Sequence, residues 1–341
     1  IISIDGGSTD SGPFSLGTGT SKYSRSSIKS EWKTLMIGRA KLNIPLIIGS
    51  CGTCGTNNMV DWMEEITIEI ATELNQKLKI AKLYCEISKK ELKKKFKNKQ
   101  IYQLDPPVLL NEDKIDRMAH IVALAGAEQI QNAIKTDADI ILAGRTTDTA
   151  IISALPLMKG ANLGSSWHGA KVAECGALCS TDPTSGVVMI EFDKNGFIVF
   201  PTSKNAKCTP YTVSAHMLYE NSDPFKLYEP GGYMDVSEAT YKALDYKKVI
   251  VTGAKWFKDK NYFVKLEGAQ ISGYQTSSLI LIRDKKYVNN IEKWTSKLKK
   301  FLCKEINKRM SLSLKDYNLQ FRHIGKNATL GDLENKKNEL T

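Results

Sequence analysis

The sequence predicts an α/β fold, with a mostly parallel sheet and flanking helices in the first half, followed by a mixed α+β second domain. Three observations carry this. Over the first 160 residues an apolar run, a Gly-rich polar loop and an amphipathic stretch follow one another repeatedly. Such alternation requires crossover connections and hence parallel strands. After that point the alternation stops, and the pattern turns to short strands and turn signals, including Asp193-Lys-Asn-Gly196.

In order, residues 1–4 form an apolar strand leading into DGGSTDSGP at 5–13. Ile28, Trp32, Leu35, Met36 and Arg39 recur at helical spacing and predict a helix from Ser26 or Ser27 to Leu42. Residues 45–48 (PLII) are a short buried strand opening into GSCGTCG at 49–55, and a long helix is expected over 57–78. A strand at 83–87 precedes a Lys-rich helix, and Pro106-Pro107 marks a boundary. A helix over 112–134 would place His120 mid-helix, as a core or surface histidine. Strand 139–142, loop AGRTTDT and a helix over 150–155 complete the half.

A soft boundary near 160 divides the chain into domains 1–160 and 161–341. In the second, strands at 187–192 and 197–200 flank the Asn-Gly turn. Thr209 as N-cap and Pro210 at the first helical position start a helix to Tyr219. Residues 247–252 and 262–266 read as paired strands, and 289–309 as a last long helix. His168 falls in a Gly/Ser loop. The chain opens on an apolar strand without a Met, which leads us to expect that a segment upstream has been cut away.

Hydrophobic content of 42% and charged content of 25% are those of a folded globular chain rather than a disordered one. No apolar run approaches the roughly 20 residues of a membrane span, and no signal segment is evident, so a cytoplasmic protein without a membrane partner is expected. The net charge is +11, yet only seven of the 48 basic residues are Arg, leaving 41 Lys. Nucleic-acid sites favour the bidentate guanidinium, so no nucleic-acid partner is expected. The run KKELKKKFKNK at 89–99 reads as a solvated helix, with an anionic-partner patch as the alternative. Seven cysteines, an odd number, point to reduced thiols.

In parallel sheets, ligands sit beyond the carboxyl ends of the strands. Three loops there carry the candidates. The first offers Asp5, Ser8, Thr9 and Asp10 for substrate polar groups or a divalent metal, with a self-bonded Asx turn as the alternative. The second offers Gly49, Ser50, Gly52 and Gly55 before a helix N-terminus, suited to a phosphate, carboxylate or CoA-like ligand. The third offers Arg145 for a planar carboxylate, with Thr147 and Asp148; an Arg145–Asp148 ion pair is the alternative. Cys51 and Cys54 with Cys175 and Cys179 have spacings that argue against a four-cysteine zinc site, and no residue is assigned to a metal. In the second half, Cys175 is a candidate nucleophile or an inert buried thiol, and Glu174 a candidate acid. His216 is a candidate base sharing a helical face with Glu220. The cofactor is unknown, a divalent metal being possible.

Several segments, in order, resemble the acyclic terpene utilisation (AtuA-like) family. They are DGGSTDSGP at 5–13, IPLIIGS at 44–50, GRTTDTA at 144–150 with Ala154-Leu-Pro156, ECGA at 174–177, SAHMLYE at 214–220, EPGG at 229–232, and VKLEGA at 264–269. The resemblance implies catabolism of small branched acids through CoA thioesters and a chain truncated at both ends, but no catalytic residues. The Lys-rich composition is similar to that of low-GC bacteria. The combined expectation is a lyase or hydratase acting on a branched carboxylate or its CoA thioester. The alternative is a non-catalytic subunit or binding module partnering a pathway enzyme. A small-molecule carboxylate or acyl-CoA is the expected ligand, and a homo-oligomer or pathway complex the expected assembly.

Overall fold

The computed structural model describes residues 1–7, 12–325 and 328; the candidates Ser8, Thr9 and Asp10 lie outside the described residues. Two compact units are distinguished, Ile1–Ser272 and Gly273–Thr341. The first opens with β1 (Ile2–Asp5), α1 (Phe14–Thr18), α2 (Arg25–Leu42), β2 (Leu46–Gly49), α3 (Asn57–Glu73), β3 (Ile80–Leu83) and α4 (Lys89–Lys97). It continues with α5 (Glu112–Arg117), β4 (Met118–Ala123), α6 (Ala127–Ile134), β5 (Ile140–Ala143), α7 (Ala150–Met158) and α8 (Leu163–Ala173). A 3-10 turn at Gly176–Cys179 leads to β6 (Val188–Phe192), β7 (Gly196–Pro201) and α9 (Pro210–Ala215), and a second 3-10 turn spans His216–Leu218. Strands β8 (Lys226–Glu229), β9 (Gly232–Asp235), β10 (Thr240–Ala243), β11 (Val249–Thr252), β12 (Lys255–Lys258) and β13 (Leu266–Gln270) close the unit. The second unit holds α10 (Lys285–Val288) and α11 (Ile291–Met310), where Tyr287 meets Trp294 edge-on.

The expected parallel sheet forms, in the order β1-β2-β5-β3. Its central strands β2 and β5 are buried along their whole length, which is why they read as continuous apolar runs rather than alternating ones. Alternate residues serve the two faces. Leu46, Ile48, Ile140 and Leu142 pack with Trp32 and Met36 of α2 and with Met63, Ile66 and Ile70 of α3. Ile47, Ile141 and Ala143 face Ile130 of α6 and Ile151 and Ala154 of α7. Each enclosed Leu, Ile or Met contributes about 1.5–3 kcal/mol of burial. The second core continues without a break into Trp167, Phe197, Val199, Val213, Val249 and Val251. Those residues belong to α8, α9 and the antiparallel sheet β10-β11-β7-β6. The fold is therefore α/β, with additional antiparallel sheets β12-β9-β8 and β13-β4.

Several elements differ from expectation, among them the strand expected at 83–87, which is β3 at Ile80–Leu83, and the helix expected to reach Tyr219, which ends at Ala215. The helix predicted over 112–134 is broken by β4, which pairs antiparallel with β13. Ile121 and Val122 are β-branched and suit a strand, but the partner that decides the matter lies far along the chain. The strands expected to pair with each other, 247–252 and 262–266, do not: β11 lies between β10 and β7, and Leu266 starts β13 against β4. The Gly/Ser stretch around His168 is the helix α8, capped by Asn162 through Ser165 N. Its Gly164 is dictated by space, since a Cβ there would collide with the Ala254 carbonyl. Finally, α3 stops at Glu73, where Asn75 takes a left-handed conformation (φ 50°).

Candidate active site

The parallel register brings the loops after β1, β2 and β5 to one end of the sheet, as expected. Gly6 N donates to Gly49 O (2.8 Å) and Ser50 N to Gly144 O (2.9 Å). Residues 49–56 are all buried. The glycines of the second loop serve this loop-on-loop packing. A Cβ on Gly49 would collide with the Thr146 hydroxyl, and one on Gly55 (φ 64°) with the Arg145 backbone. The α3 N-terminus, expected to hold an anion, already has one from the chain: Asn57 N donates to Glu86 Oε2 (2.8 Å), while Glu86 Oε1 pairs with His120 Nδ1 (2.6 Å). Asp5 Oδ1 accepts from Gly7 N (3.2 Å), the Asx geometry named as the alternative reading of the first loop.

Arg145 is buried and its fork is engaged. Nε and Nη2 donate to the two oxygens of Glu267 on β13 (3.0 and 3.3 Å), and Nη1 donates to Ser50 Oγ (2.9 Å). The geometry is that of a bidentate ion pair with both side chains enclosed. Arg145 thus pairs with Glu267, a partner that neither reading of the third loop named, and Asp148 and Asp5 also act on it by charge.

Beyond Arg145, a second cluster gathers Asp148, Lys171, Glu174, Cys175, His216 and Glu229. The loop after β5 supplies Thr147, Asp148 and Thr149, and the end of α8 supplies Lys171, Glu174 and then Cys175. Glu229 ends β8 and His216 opens the second 3-10 turn. Thr149 Oγ1 donates to Glu229 Oε1 at 2.5 Å, and Thr147 Oγ1 lies 3.2 Å from Thr149 Oγ1. Glu229 Oε2 is enclosed with no hydrogen-bond partner. Lys171 and Glu174, one turn apart on the helix, form a buried ion pair.

Burial dominates the electrostatics. It pushes the Glu229 carboxyl up to about 7, against the Thr149 and Thr147 hydroxyls and with help from Asp148. It pushes Glu174 up to about 8, opposed by Lys171 and reinforced by Asp148 and Glu229. Burial, then the Lys171 charge, lowers His216 to about 4. Burial and the charge of Glu174 push the Cys175 thiol up to about 12, the direction opposite to that of an activated nucleophile. Glu229 and Glu174, but not His216 or Cys175, are thereby brought to exchange protons near neutrality, a property suited to general acid–base chemistry.

Asp148, Glu174, Cys175 and His216 are therefore brought together, whereas Arg145 and Ser50 sit in the neighbouring Glu267 pin. His216 is not held by Glu220. Helix α9 ends at Ala215, and Glu220 is exposed with φ 58°, so the two never share a helical face. His216 instead stacks on Tyr219 (5.6 Å, 19°). Sequence reasoning missed Lys171, Glu229 and Glu267 as site residues. Lys171 lies three before Glu174, Glu229 opens the EPGG turn, and Glu267 is an acid in an otherwise apolar strand; each was a visible signal. The fully buried His168 donates to or accepts from Tyr241 (3.1 Å) and packs edge-on against Phe197, a core role.

Among the described residues, no helix is long and apolar enough to cross a membrane. No curated protein and no solved structure matches the chain. The model of the family described as acyclic terpene utilisation family protein AtuA matches residues 34–340, which include every member of the buried cluster. The chain belongs to the acyclic terpene utilisation (AtuA) family.

Proposed function

We propose that the protein is a catabolic enzyme of acyclic terpene or related branched-acid breakdown. In this reading it acts as a lyase or hydratase on a branched carboxylate or its CoA thioester, with Glu229 and Asp148 moving the proton. Family membership supports the catabolic role. The observation that carries the chemistry is the Glu229 carboxyl, enclosed, held on one oxygen by Thr149 and unpartnered on the other beside Asp148 and Lys171. Addition of water to an enoyl thioester needs a base for the water and an acid for the α-carbon, and the reversal needs a base for the α-proton and an acid for the departing hydroxyl. A carboxyl titrating near neutrality serves both directions. The Lys171 ammonium would stabilise negative charge developing on a thioester oxygen. Arg145, with its fork on Glu267 and Ser50, shapes the loop rather than gripping the substrate.

The test incubates the full chain with branched 2-enoyl-CoA and 3-hydroxyacyl-CoA thioesters and the free acids, following interconversion by mass spectrometry. Glu229→Gln should lower turnover by about 10²–10⁴ while a bound thioester still raises the melting temperature. Unchanged turnover in that variant would remove Glu229 from the chemistry. The enclosure of the cluster favours one second reading, a non-catalytic partner subunit in which buried acids hold the fold. It predicts no turnover on any member of the panel, and co-purification with an enzyme of the pathway.

A further inference from the structure

We propose that Glu174, Cys175 and His216 form a binding site for one divalent transition-metal ion of the zinc class. One ligand atom from each, a carboxylate oxygen, the Cys175 thiol sulfur and an imidazole nitrogen, lies within 4.8 Å of the other two. Around a tetrahedral ion with bonds of about 2.0–2.3 Å, donors stand roughly 3.3–3.8 Å apart, so the three need to close by at most about 1–1.5 Å. A second observation points to a missing partner. His216 is 4% exposed, and its Nε2 is enclosed with no hydrogen bond. Buried polar atoms are rarely left so, and each that is calls for an explanation such as an ion.

The surroundings are those of a ligand set. The Lys171 carbonyl accepts a hydrogen bond from the imidazole, which leaves Nε2 for a metal. The Lys171 ammonium holds Glu174 Oε1, leaving the other carboxylate oxygen to coordinate. One residue at the end of α8 thus orients two ligands, one through its backbone and one through its side chain, the usual task of the shell outside a metal site. The left-handed Gly176 (φ 57°) turns the chain immediately after Glu174 and Cys175. A Cβ there would crowd the Gly186 carbonyl, so the turn that presents both ligands is locked. A nitrogen, a sulfur and an oxygen make a borderline donor set that selects zinc-class ions over magnesium or calcium. Three protein ligands leave the fourth position open, as in catalytic rather than structural zinc sites. Ionised Glu174 and Cys175 would balance the 2+ charge, the thiol giving up its proton on coordination. The site does not depend on the proton-transfer reading, because binding is measured without turnover.

The experiment strips the full chain with a chelator, reloads it with Co²⁺ and records its absorption, alongside zinc content by mass spectrometry. We expect about one ion per chain, intense tetrahedral visible bands and a near-ultraviolet thiolate-to-cobalt band. Cys175→Ser should abolish the thiolate band, and His216→Asn should weaken binding by at least the ~10–100-fold that loss of an outer-shell partner costs. Cys54→Ser, in the buried loop after β2, should leave the band intact. Circular dichroism of each variant reports folding, and Cys175→Ser is small enough to keep it. No ion retained by the wild-type chain would overturn the proposal. So would stoichiometric binding whose thiolate band survives Cys175→Ser, whichever reaction the protein catalyses.

Discussion

Replacing Glu267 by Leu tests whether the buried pin is as costly to break as its geometry implies. The substitution removes two charge-assisted hydrogen bonds (3.0 and 3.3 Å) and leaves the Arg145 guanidinium enclosed with Ser50 and the charges of Asp148 and Asp5. The side chains of the pair are 8% and 12% exposed, so water cannot replace the lost carboxylate. Breaking a buried pair from one side costs about 3–5 kcal/mol. For a unit of this size that corresponds to a fall in melting temperature of roughly 5–9 °C. The double variant Arg145→Met, Glu267→Leu removes both charges and should recover most of the loss. The exposed pair Arg25–Glu69, with side chains 40% and 44% exposed, is the control, and Glu69→Ala should cost less than about 1 kcal/mol. Urea unfolding of the four proteins at one pH reads all of this. If Glu267→Leu cost no more than Glu69→Ala, or if the double variant were no more stable than Glu267→Leu, the pin would not be holding the loops.

Three further outcomes follow from the same geometry. The folded value of Glu229, about 7, lies above its ordinary 4.5. The stability from its retained proton is therefore complete below about pH 4.5 and is lost as pH rises through 7, a ceiling of about 3 kcal/mol. Metal-free wild type should lose that stability over this window in urea midpoints, and Glu229→Gln should not; parallel curves would show that the carboxyl is not enclosed. Gly55→Ala should destabilise by more than the ~1 kcal/mol usual for a surface glycine, since it meets both a left-handed φ and the Arg145 backbone, and thermal melting measures it. Gly164→Ala should lower the melting temperature despite the better helix propensity of Ala, because α8 would be pushed off the Ala254 carbonyl.

The parallel sheet was legible because β2 and β5 are buried on both faces, so four-residue apolar runs bounded by glycines announce them without any partner. The end of the sheet to which the candidate loops converge was legible for the same reason, since topology alone selects it. What local pattern could not supply was long-range pairing. Met118–Ala123 carries enough apolar residues to pass for a helix until β13 is laid against it. Arg145 was correctly singled out as an unusual charge at a strand end, yet its carboxylate stands 122 residues away, beyond the reach of any spacing rule. The neighbour Asp148 was the only candidate that local reading could offer. His216 and Glu174 were found by residue type, but Lys171, which orders both, looked like one lysine among 41.

The pairing of β4 with β13 also sets a timetable for synthesis. Ala123 waits for Leu266, roughly 140 residues later, which at about 5–20 residues per second is on the order of 10–30 s. Throughout that interval the nascent chain carries an open strand edge at 118–123, and for most of it an Arg145 guanidinium whose Glu267 carboxylate has not yet been made. Open edges recruit other chains. The protein should therefore depend on a holding chaperone during translation far more than its short-range helices suggest, and chains truncated just before Leu266 should yield aggregates rather than a smaller folded core.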